Sequence, residues 1–586
     1  MFNYIKYLLL SLLFLTTSFS QVIEKIEITG SSAFGESTLL NWSGISNGIK
    51  YYNGVVDTIK NNIAVKLSEQ GYLNSKFTHN ISFSEDSLKV TISLTVKEGE
   101  PTFISKIIYF DKDSLVNEYI YSLFEFLEGQ IINRAAIEET IASSLDYYEN
   151  NGFPFASVKI NSINFISDSV EENYSAEVYI EMNKGEKSTI DKVVITGNNS
   201  TADYVIIREL RLESGELYSQ KEIEELPKRL NRLRFFEPIG TPQFYFDSQQ
   251  KGVLLINVKE KQTNNFDGII GYIPGSREGE KGYVTGLVNV SLRNLFGTGR
   301  AAAIRWQQFN RFSQELELKY LEPWIFGFPF NISGGAFQRK QDTTYVQRRF
   351  EGAVEYLATE DISASIIIGS EQIIPTISEK PRFTVYNSNA LTTGVNLKID
   401  TRNDPYAPRE GLLFINSYSF SRKKIYGPAE FISTTTITDI NLQRITVSFG
   451  GFLEIFSRQV VALGLHGREL RGSFFEDSDL FRLGGTNTLR GYRENQFLGS
   501  RIAWSNLEYR LLLTRRTYAF LFFDTGYYLR NADVERNILK QEGFKIGYGL
   551  GLNLETGLGV LVVSFALAKG DSFGDGKIHF GIVNEF

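Results

Sequence analysis

A strict alternation of apolar and polar residues dominates the chain from about residue 263 onward. Within 315–320 one face is apolar and the other is charged: Leu316, Leu318 and Tyr320 against Glu315, Glu317 and Lys319. The same period of two returns at 506–511 and 546–554. Such strands suit a transmembrane barrel, which shows apolar side chains to lipid and polar ones to a wet lumen. At about 10 residues per strand plus turns and loops, residues 263–586 predict about 16 antiparallel strands.

Features of an exported protein favour this barrel over a soluble β-sandwich, whose strands also alternate. Residues 1–20 have one lysine, a short apolar core and small residues at the end, as in a cleaved secretory signal. The remaining sequence has no apolar run long enough for a transmembrane helix, so strands are expected to cross the membrane. The chain contains no cysteine, which excludes disulfides, a lipid-anchor cysteine and thiolate metal sites. The net charge of −7 argues against general nucleic-acid binding.

The amino-terminal part is an internal repeat. The segment 23–30 (IEKIEITG) matches 190–197 (IDKVVITG), and a weaker copy lies at 104–110. The equivalent residues Lys25, Lys106 and Lys192 are spaced by 81 and 86 residues. Each unit also carries a helical stretch, at 55–70, 134–150 and 220–234, and a similar ending: TVKEGEP, MNKGEK or NVKEKQ. A constant period of this length predicts three α+β modules, each with a strand, helices and two further strands.

Two motifs near the carboxyl end point to a specific contact. Residues 482–500 (RLGGTNTLRGYRENQFLGS) are too polar and glycine-rich for a strand and place Arg490 in a loop. Residues 522–526 (FFDTG) place Asp524 inside an otherwise apolar strand, where an unpaired carboxylate is costly. We therefore predict that the loop folds inward and that Arg490 pairs with Asp524. The alternative is a solvated loop arginine and an aspartate that lines a watery lumen.

These motifs, the repeats and the carboxyl-terminal Phe586 resemble the outer-membrane protein assembly superfamily, the BamA/TamA-type barrels with POTRA domains. The resemblance implies α+β POTRA repeats followed by a 16-stranded antiparallel transmembrane β-barrel. Three POTRA domains without a lipid-anchor cysteine look most similar to the TamA-type subgroup. The implied divisions are a signal peptide, three POTRA domains and the barrel: 1–20, 21–100, 101–186, 187–261 and 262–586.

The resemblance also assigns site residues. A lock between loop and strand inside the lumen would comprise Arg490, Gly491, Tyr492, Asp524 and Gly526. The last strand, 578–586, would carry the signal by which assembly machinery recognises a barrel: Phe580, Gly581 and Phe586. Asn584 interrupts the apolar face of this strand where an apolar residue is expected.

The function implied is insertion or translocation of client proteins at the cell outer membrane of a Gram-negative bacterium, without nucleotide. The POTRA domains would bind unfolded outer-membrane or secreted clients in the periplasm, and the barrel would contact outer-membrane lipid. The resemblance leaves open whether a periplasmic or inner-membrane partner docks on the first POTRA domain. Two alternatives are a dedicated exporter of one secreted protein, as in two-partner secretion, and a passive pore with periplasmic docking domains.

No motif indicates catalysis, a cofactor, a metal or nucleic-acid recognition. The three histidines, His79, His466 and His579, fall in different elements, and the HExxH and G-x-S-x-G motifs are absent. The segment 294–300 (NLFGTGR) lacks the Gly-Lys-Ser/Thr ending of a phosphate loop. Together with 320–324 (YLEPW) and 400–411 (DTRNDPYAPREG), we interpret it as a structural turn. The sequence therefore predicts a protein that is not an enzyme.

Overall fold

A computed structural model describes residues 21–111, 117–168, 173–273, 282–376, 385–532, 538–556 and 559–583. The predicted signal peptide, 1–20, and the terminal Phe586 lie outside these residues. The chain forms two compact units. The first extends to Val193 and includes Glu213–Glu225 and Gln243–Leu254, and the second comprises Val194–Leu212, Leu226–Pro242 and the chain from Leu255 onward. Within the ranges described, no helix is long and apolar enough to span a bilayer.

The first repeat is a three-stranded sheet covered by two helices. Its elements are β1 (Val22–Thr29), α1 (Glu36–Ser43), α2 (Val55–Glu69), β2 (Lys76–Phe83) and β3 (Lys89–Lys97). The strand order is β1-β3-β2, with β1 parallel and β2 antiparallel to the central β3. One face of the helices packs on the sheet through fully buried side chains such as Leu39, Ile63 and Val90. Strand β2 is left at the edge of the sheet.

The next two repeats follow the same plan. The second contains β4 (Thr102–Asp111), α3 (Glu118–Glu125), α4 (Arg134–Asn150), β5 (Ser157–Asp168) and β6 (Asn173–Asn183), in the order β4-β6-β5. The third contains β7 (Thr189–Ile190), β8 (Lys192–Thr196), α5 (Asp203–Leu210), β9 (Glu216–Leu217), α6 (Gln220–Asn231), β10 (Gln243–Phe246) and β11 (Gly252–Asn257). Its main sheet has the order β10-β11-β8. The predicted strand–helix–strand modules are therefore confirmed.

One helix is shorter than predicted. The stretch 220–234 was expected to be helical throughout, but α6 ends at Asn231. Arg234 has a left-handed φ of 62°, which an α-helix does not accommodate. The two other predicted stretches match their helices to within one residue.

The remaining chain forms one large antiparallel sheet. Its strands are β12 (Asn265–Ile273), β13 (Tyr283–Leu295), β14 (Arg300–Gln308), β15 (Gln314–Glu322), β16 (Phe330–Gln341), β17 (Tyr345–Leu357), β18 (Ile362–Pro375), β19 (Asn387–Asp400), β20 (Gly411–Gly427), β21 (Asp439–Phe456), β22 (Gln459–Gly472), β25 (Arg501–Leu512), β26 (Tyr518–Arg530), β27 (Gln541–Thr556), β28 (Gly559–Ala568) and β29 (Lys577–Val583). A separate small hairpin, β23 (Phe481–Leu483) and β24 (Phe497–Gly499), lies between β22 and β25. The 16 strands pair in chain order, which confirms the predicted strand number and topology.

The sheet is not closed. Among the described residues, no ladder of hydrogen bonds joins the first strand, β12, to the last, β29. These two strands have nine and seven residues, whereas β21 in the middle of the sheet has 18. We call the meeting place of β12 and β29 the seam.

The two faces of the sheet have the predicted character. Leu318 and Tyr320 are 40% and 42% exposed on the outer face. The alternate residues Glu315, Glu317 and Lys319 line an inner cavity with Arg339. The sequence alternation therefore places apolar side chains outside and charged ones in the lumen.

Candidate functional site

The long connection from β22 to β25, residues 473–500, carries the predicted loop motif. Its tip, residues 484–496, extends from the β23–β24 hairpin, and we call it the lock loop. Gly484, Gly485 and Gly491 have φ values of 114°, 101° and 91°, a region that residues with a Cβ rarely enter. Glycine at these positions gives the lock loop its tight turns, and it places Arg490 against β26.

Arg490 and Asp524 form a buried, bidentate ion pair. The Nε of Arg490 donates to Oδ2 of Asp524 at 2.8 Å, and Nη2 donates to Oδ1 at 2.7 Å. The backbone N–H of Arg490 donates a third hydrogen bond, of 3.1 Å, to Oδ2. Arg490 is 6% exposed and Asp524 is fully buried. Two parallel charge-assisted bonds fix the orientation of the guanidinium as well as its distance from the carboxylate.

A second carboxylate and an aromatic ring complete the environment of this arginine. Nη1 of Arg490 donates to Oε1 of Glu508 at 2.7 Å, and Arg510 contacts the other oxygen of Glu508 at 2.8 Å. The guanidinium carbon of Arg490 lies 3.8 Å from the ring centroid of Phe522, a close cation–π contact. Three of the five N–H groups of the guanidinium therefore donate to carboxylates, and the Phe522 ring packs on its face.

Sequence reasoning missed Glu508 and Arg510, although a signal for both was present. The period of two in 506–511 places them on the lumen face of β25, and β25 is the strand beside β26. The register pairs Glu508 with Phe522, two residues from Asp524. Side chains that share a face and lie diagonally on paired strands are neighbours.

The other predicted lock residues occupy different positions around the pair. A Cβ on Gly491 would lie 2.7 Å from the carbonyl oxygen of Leu567, so the lock loop passes closely over β28. A Cβ on Gly526 would lie 2.9 Å from Leu489, so this glycine leaves room for the loop. The Tyr492 hydroxyl donates to the Ile546 carbonyl at 3.1 Å, and its ring packs edge-on against Phe497. The aromatic ring that packs on the Arg490 guanidinium is that of Phe522, and the Tyr492 ring lies against Phe497.

The lock loop also contacts the last strand. The backbone N–H of Gly491 donates to Nε2 of His579 at 3.1 Å. The Thr486 hydroxyl lies 3.5 Å from the carbonyl oxygen of Phe580, and a Cβ on Gly581 would meet the Thr486 methyl at 2.9 Å. Phe580, a predicted part of the barrel signal, is 61% exposed on the outer face. The lock loop thus joins β26 in the barrel wall to β29 at the seam.

The base of the same connection is fixed by a second buried ion cluster. Lys423, from β20, is 2% exposed and donates to Glu476 at 2.7 Å and to Asp479 at 2.8 Å and 2.9 Å. Glu476 also accepts a hydrogen bond of 2.7 Å from the backbone of Tyr386. No motif in the sequence predicts this cluster. It fixes the start of the 473–500 connection while Arg490 fixes its tip.

The described part of the chain has no group of three or more histidine, aspartate or glutamate side chains that could hold a metal ion. His466 stacks on Trp504 with ring centroids 4.6 Å apart, and His579 binds the lock loop. The buried charges of Arg490, Asp524, Glu508 and Arg510 are paired with one another, which fixes the lock loop against β25 and β26.

Comparisons with known proteins agree with this architecture. Residues 294–586 match the Omp85 superfamily domain, and residues 21–99, 103–185 and 188–261 each match the POTRA family, described as a surface antigen variable number repeat. The outer membrane protein assembly factor BamA of Nitratidesulfovibrio vulgaris is 22% identical over 540 residues, which cover 86% of this chain and 63% of that protein. The BamA of Neorickettsia risticii is 22% identical over 537 residues, covering 85% and 68%.

Two solved structures share the fold. BamA from Haemophilus ducreyi lacking POTRA domains 1–3 superposes with a TM-score of 0.50 at 16% identity, covering 82% of this chain and 98% of that one. CdiB from Escherichia coli has the same TM-score at 12% identity, covering 82% and 90%. The BamA relatives are outer-membrane proteins, which confirms the predicted localisation in the cell outer membrane with periplasmic POTRA domains. By its three repeats, its 16-stranded sheet and these matches, the chain belongs to the Omp85 superfamily.

Proposed function

We propose that this protein is an outer-membrane assembly factor that receives client proteins on its POTRA domains and inserts or translocates them at the barrel seam. The observation that carries the proposal is the unclosed sheet: in the described residues, β12 and β29 share no ladder. A strand edge with unpaired N–H and C=O groups is a template on which another strand can form. No step of this process requires a nucleotide, a metal or a catalytic side chain.

The composition of the seam supports an opening there. Strand β12 contains Gly268 and Gly271, and glycine weakens a strand interior because it adds backbone entropy and no packing. Strand β29 has seven residues and contains Gly581. Because β12 and β29 share no ladder in the described residues, moving them apart breaks no ladder bonds, whereas separating β12 from β13 would disrupt nine residue pairs.

The POTRA domains offer a way to hold an unfolded client. Strands β2, β5 and β10 each lie at the edge of their three-stranded sheet. A client segment that adds to such an edge binds through its main chain, so many sequences are accepted. Binding of this kind suits client proteins that share a β-structure but differ in sequence.

Cysteine crosslinks test the seam directly, because the chain contains no native cysteine. One cysteine replaces Phe580 in β29, and a second is scanned along the outward positions 266, 268 and 272 of β12. We expect the oxidised pair to stop client insertion in proteoliposomes and reduction to restore it. The matched control is a cysteine pair at Val563 and Phe580, which already face each other in β28 and β29. This control should remain active when oxidised.

The alternative of export through the lumen makes the opposite prediction. BamA and CdiB structures superpose with equal TM-scores, so the fold alone does not separate the two functions. A locked seam that retains full activity would rule out the seam as the route and favour passage through the lumen. A steady conductance without any client binding would instead favour the passive pore.

A further inference from the structure

Two periplasmic turns of the barrel carry the most exposed large apolar side chains of the described residues. Phe296 lies in the β13–β14 turn and is 91% exposed, and Phe326 lies in the β15–β16 turn and is 95% exposed. Strand β12 follows directly on the third POTRA domain, so the ends of β13 and β15 also lie on the periplasmic side. Phe296 lies within the motif 294–300, and Phe326 follows two residues after the motif 320–324. From the sequence alone, we interpret both motifs as structural turns only.

The backbone at these phenylalanines is strained. Phe296 has a φ of 54° and Phe326 a φ of 53°, both in the left-handed region. A bulky residue is unfavourable there, and turn geometry alone would favour glycine or asparagine. A strained backbone that carries a large exposed apolar side chain is therefore a reason to look for a contact outside this chain.

Hydrogen bonds to neighbouring residues of the chain fix both turns. Asn294 donates to the Thr201 hydroxyl at 2.8 Å, and the N–H of Ala202 donates to the Gly297 carbonyl at 3.0 Å. In the second turn, the Trp324 indole donates to Glu209 at 2.7 Å. These bonds attach the turns to the chain around α5. The two phenylalanine rings remain exposed despite these attachments.

The exposed rings continue the lipid-facing surface of the barrel. Tyr320, Phe330 and Tyr356 are 40–45% exposed on the outer face at the periplasmic ends of their strands, and the rings of Phe330 and Tyr356 lie 5.0 Å apart. Aromatic residues at this height form the belt that marks the membrane interface. Phe328, in the same turn as Phe326, is 62% exposed and connects the belt to the turn tips.

We propose that Phe296 and Phe326 insert into the periplasmic leaflet of the outer membrane and bind phospholipid at the level of the glycerol backbone and upper acyl chains. The turn with Phe296 begins one strand away from β12 in the sheet, and the turn with Phe326 begins three strands away. The two rings would hold the bilayer against the periplasmic rim of the barrel.

The test places a single cysteine at position 296 or 326 of the full chain and labels it with a polarity-sensitive fluorophore. The labelled barrel is folded into phosphatidylcholine vesicles, and folding is checked by its heat-modifiable electrophoretic mobility. We expect blue-shifted emission and loss of intensity when some lipids carry a nitroxide near the carbonyl end of the acyl chain. The matched control is a cysteine at Phe126, a phenylalanine of the second repeat that is 76% exposed. Its label should keep an aqueous spectrum and resist quenching.

Three results would overturn the proposal. An aqueous spectrum at both 296 and 326 would show that the rings remain in water. A blue shift without quenching by lipid would show that the rings pack against protein. Equal quenching at 126 would show that the label inserts by itself. As a second measurement, replacing both phenylalanines by asparagine, which tolerates the left-handed region, should lower the urea midpoint in vesicles, whereas tryptophan at both positions should preserve it.

Discussion

Replacing Arg490 by alanine should destabilise the folded barrel by about 3 kcal/mol, the lower end of the cost of breaking a buried ion pair. The lower end of this range applies because, in the alanine variant, both carboxylates that contact Arg490 keep another hydrogen-bond partner. Asp524 retains the backbone N–H at position 490, and Glu508 retains Arg510 at 2.8 Å. The midpoint of urea unfolding in lipid vesicles, followed by electrophoretic mobility, measures this loss.

A double-mutant cycle isolates the contact from the other consequences of each change. The single variants Arg490→Ala and Asp524→Asn are compared with the double variant. Because two charge-assisted bonds of 2.7 Å and 2.8 Å join the side chains, we expect the double variant to be clearly less destabilised than the sum of the singles. A coupling energy below about 0.5 kcal/mol, the ordinary error of additivity, would refute the argument that this pair is the lock.

The matched control is a bidentate pair of the same chemistry on the barrel surface. Arg422 donates to Asp439 at 3.0 Å and 2.7 Å, but their side chains are 61% and 44% exposed. Exposed pairs of this kind stabilise proteins little because water already solvates both charges. Arg422→Ala should therefore leave the unfolding midpoint unchanged. An equal loss in both variants would show that burial is not the source of the effect.

Three further predictions concern the lock loop, the first repeat and the amino-terminal part of the chain. Gly491→Ala should displace the lock loop, since its Cβ would lie 2.7 Å from the Leu567 carbonyl, and faster protease cleavage within the loop would report the displacement. Burial alone would raise the pKa of Glu98, but hydrogen bonds from its own backbone, from Ser32 and from Ala33 outweigh burial and lower the pKa below its usual 4.5. The first repeat should therefore lose stability as the pH falls through 4.5 and below, and Glu98→Gln should be destabilised at pH 7 and flatten this dependence, measured by chemical unfolding across pH. Residues 21–261, expressed alone, should fold without detergent and show mixed α/β circular dichroism, and an insoluble product would contradict the predicted boundary.

The fold was predictable because its signals are periodic. A repeat of about 80 residues and an alternation of two residues each recur many times, so errors at one position do not change the conclusion. The contact between Arg490 and Asp524 was predictable for a different reason. A carboxylate in an apolar strand needs a partner, and one glycine-flanked arginine in a nearby loop could reach it.

The remaining features depend on geometry that local sequence does not contain. Glu508 belongs to the site because the β25–β26 register brings it beside Asp524, and alternation alone leaves that register undetermined. Lys423 finds Glu476 across 53 residues, through the path of a loop that has no regular pattern. The open seam depends on whether the first and last strands are long enough to pair. The free energy of pairing these two weak strands is small, and no single sequence motif determines it.

The contacts of the lock loop are unequal, and the inequality bears on how the seam could open. Toward β25 and β26, the loop makes three charge-assisted side-chain bonds of 2.7–2.8 Å; the two to Asp524 are buried and the one to Glu508 is partly buried. Toward β29 it makes one neutral hydrogen bond to His579, at 3.1 Å, and a marginal one at 3.5 Å. Neutral hydrogen bonds contribute about 0.5–1.5 kcal/mol each, and charge-assisted ones roughly twice as much. If the seam opens as proposed, the last strand can therefore leave the loop while Arg490 stays on Asp524, and the contact between the loop and the barrel wall is kept.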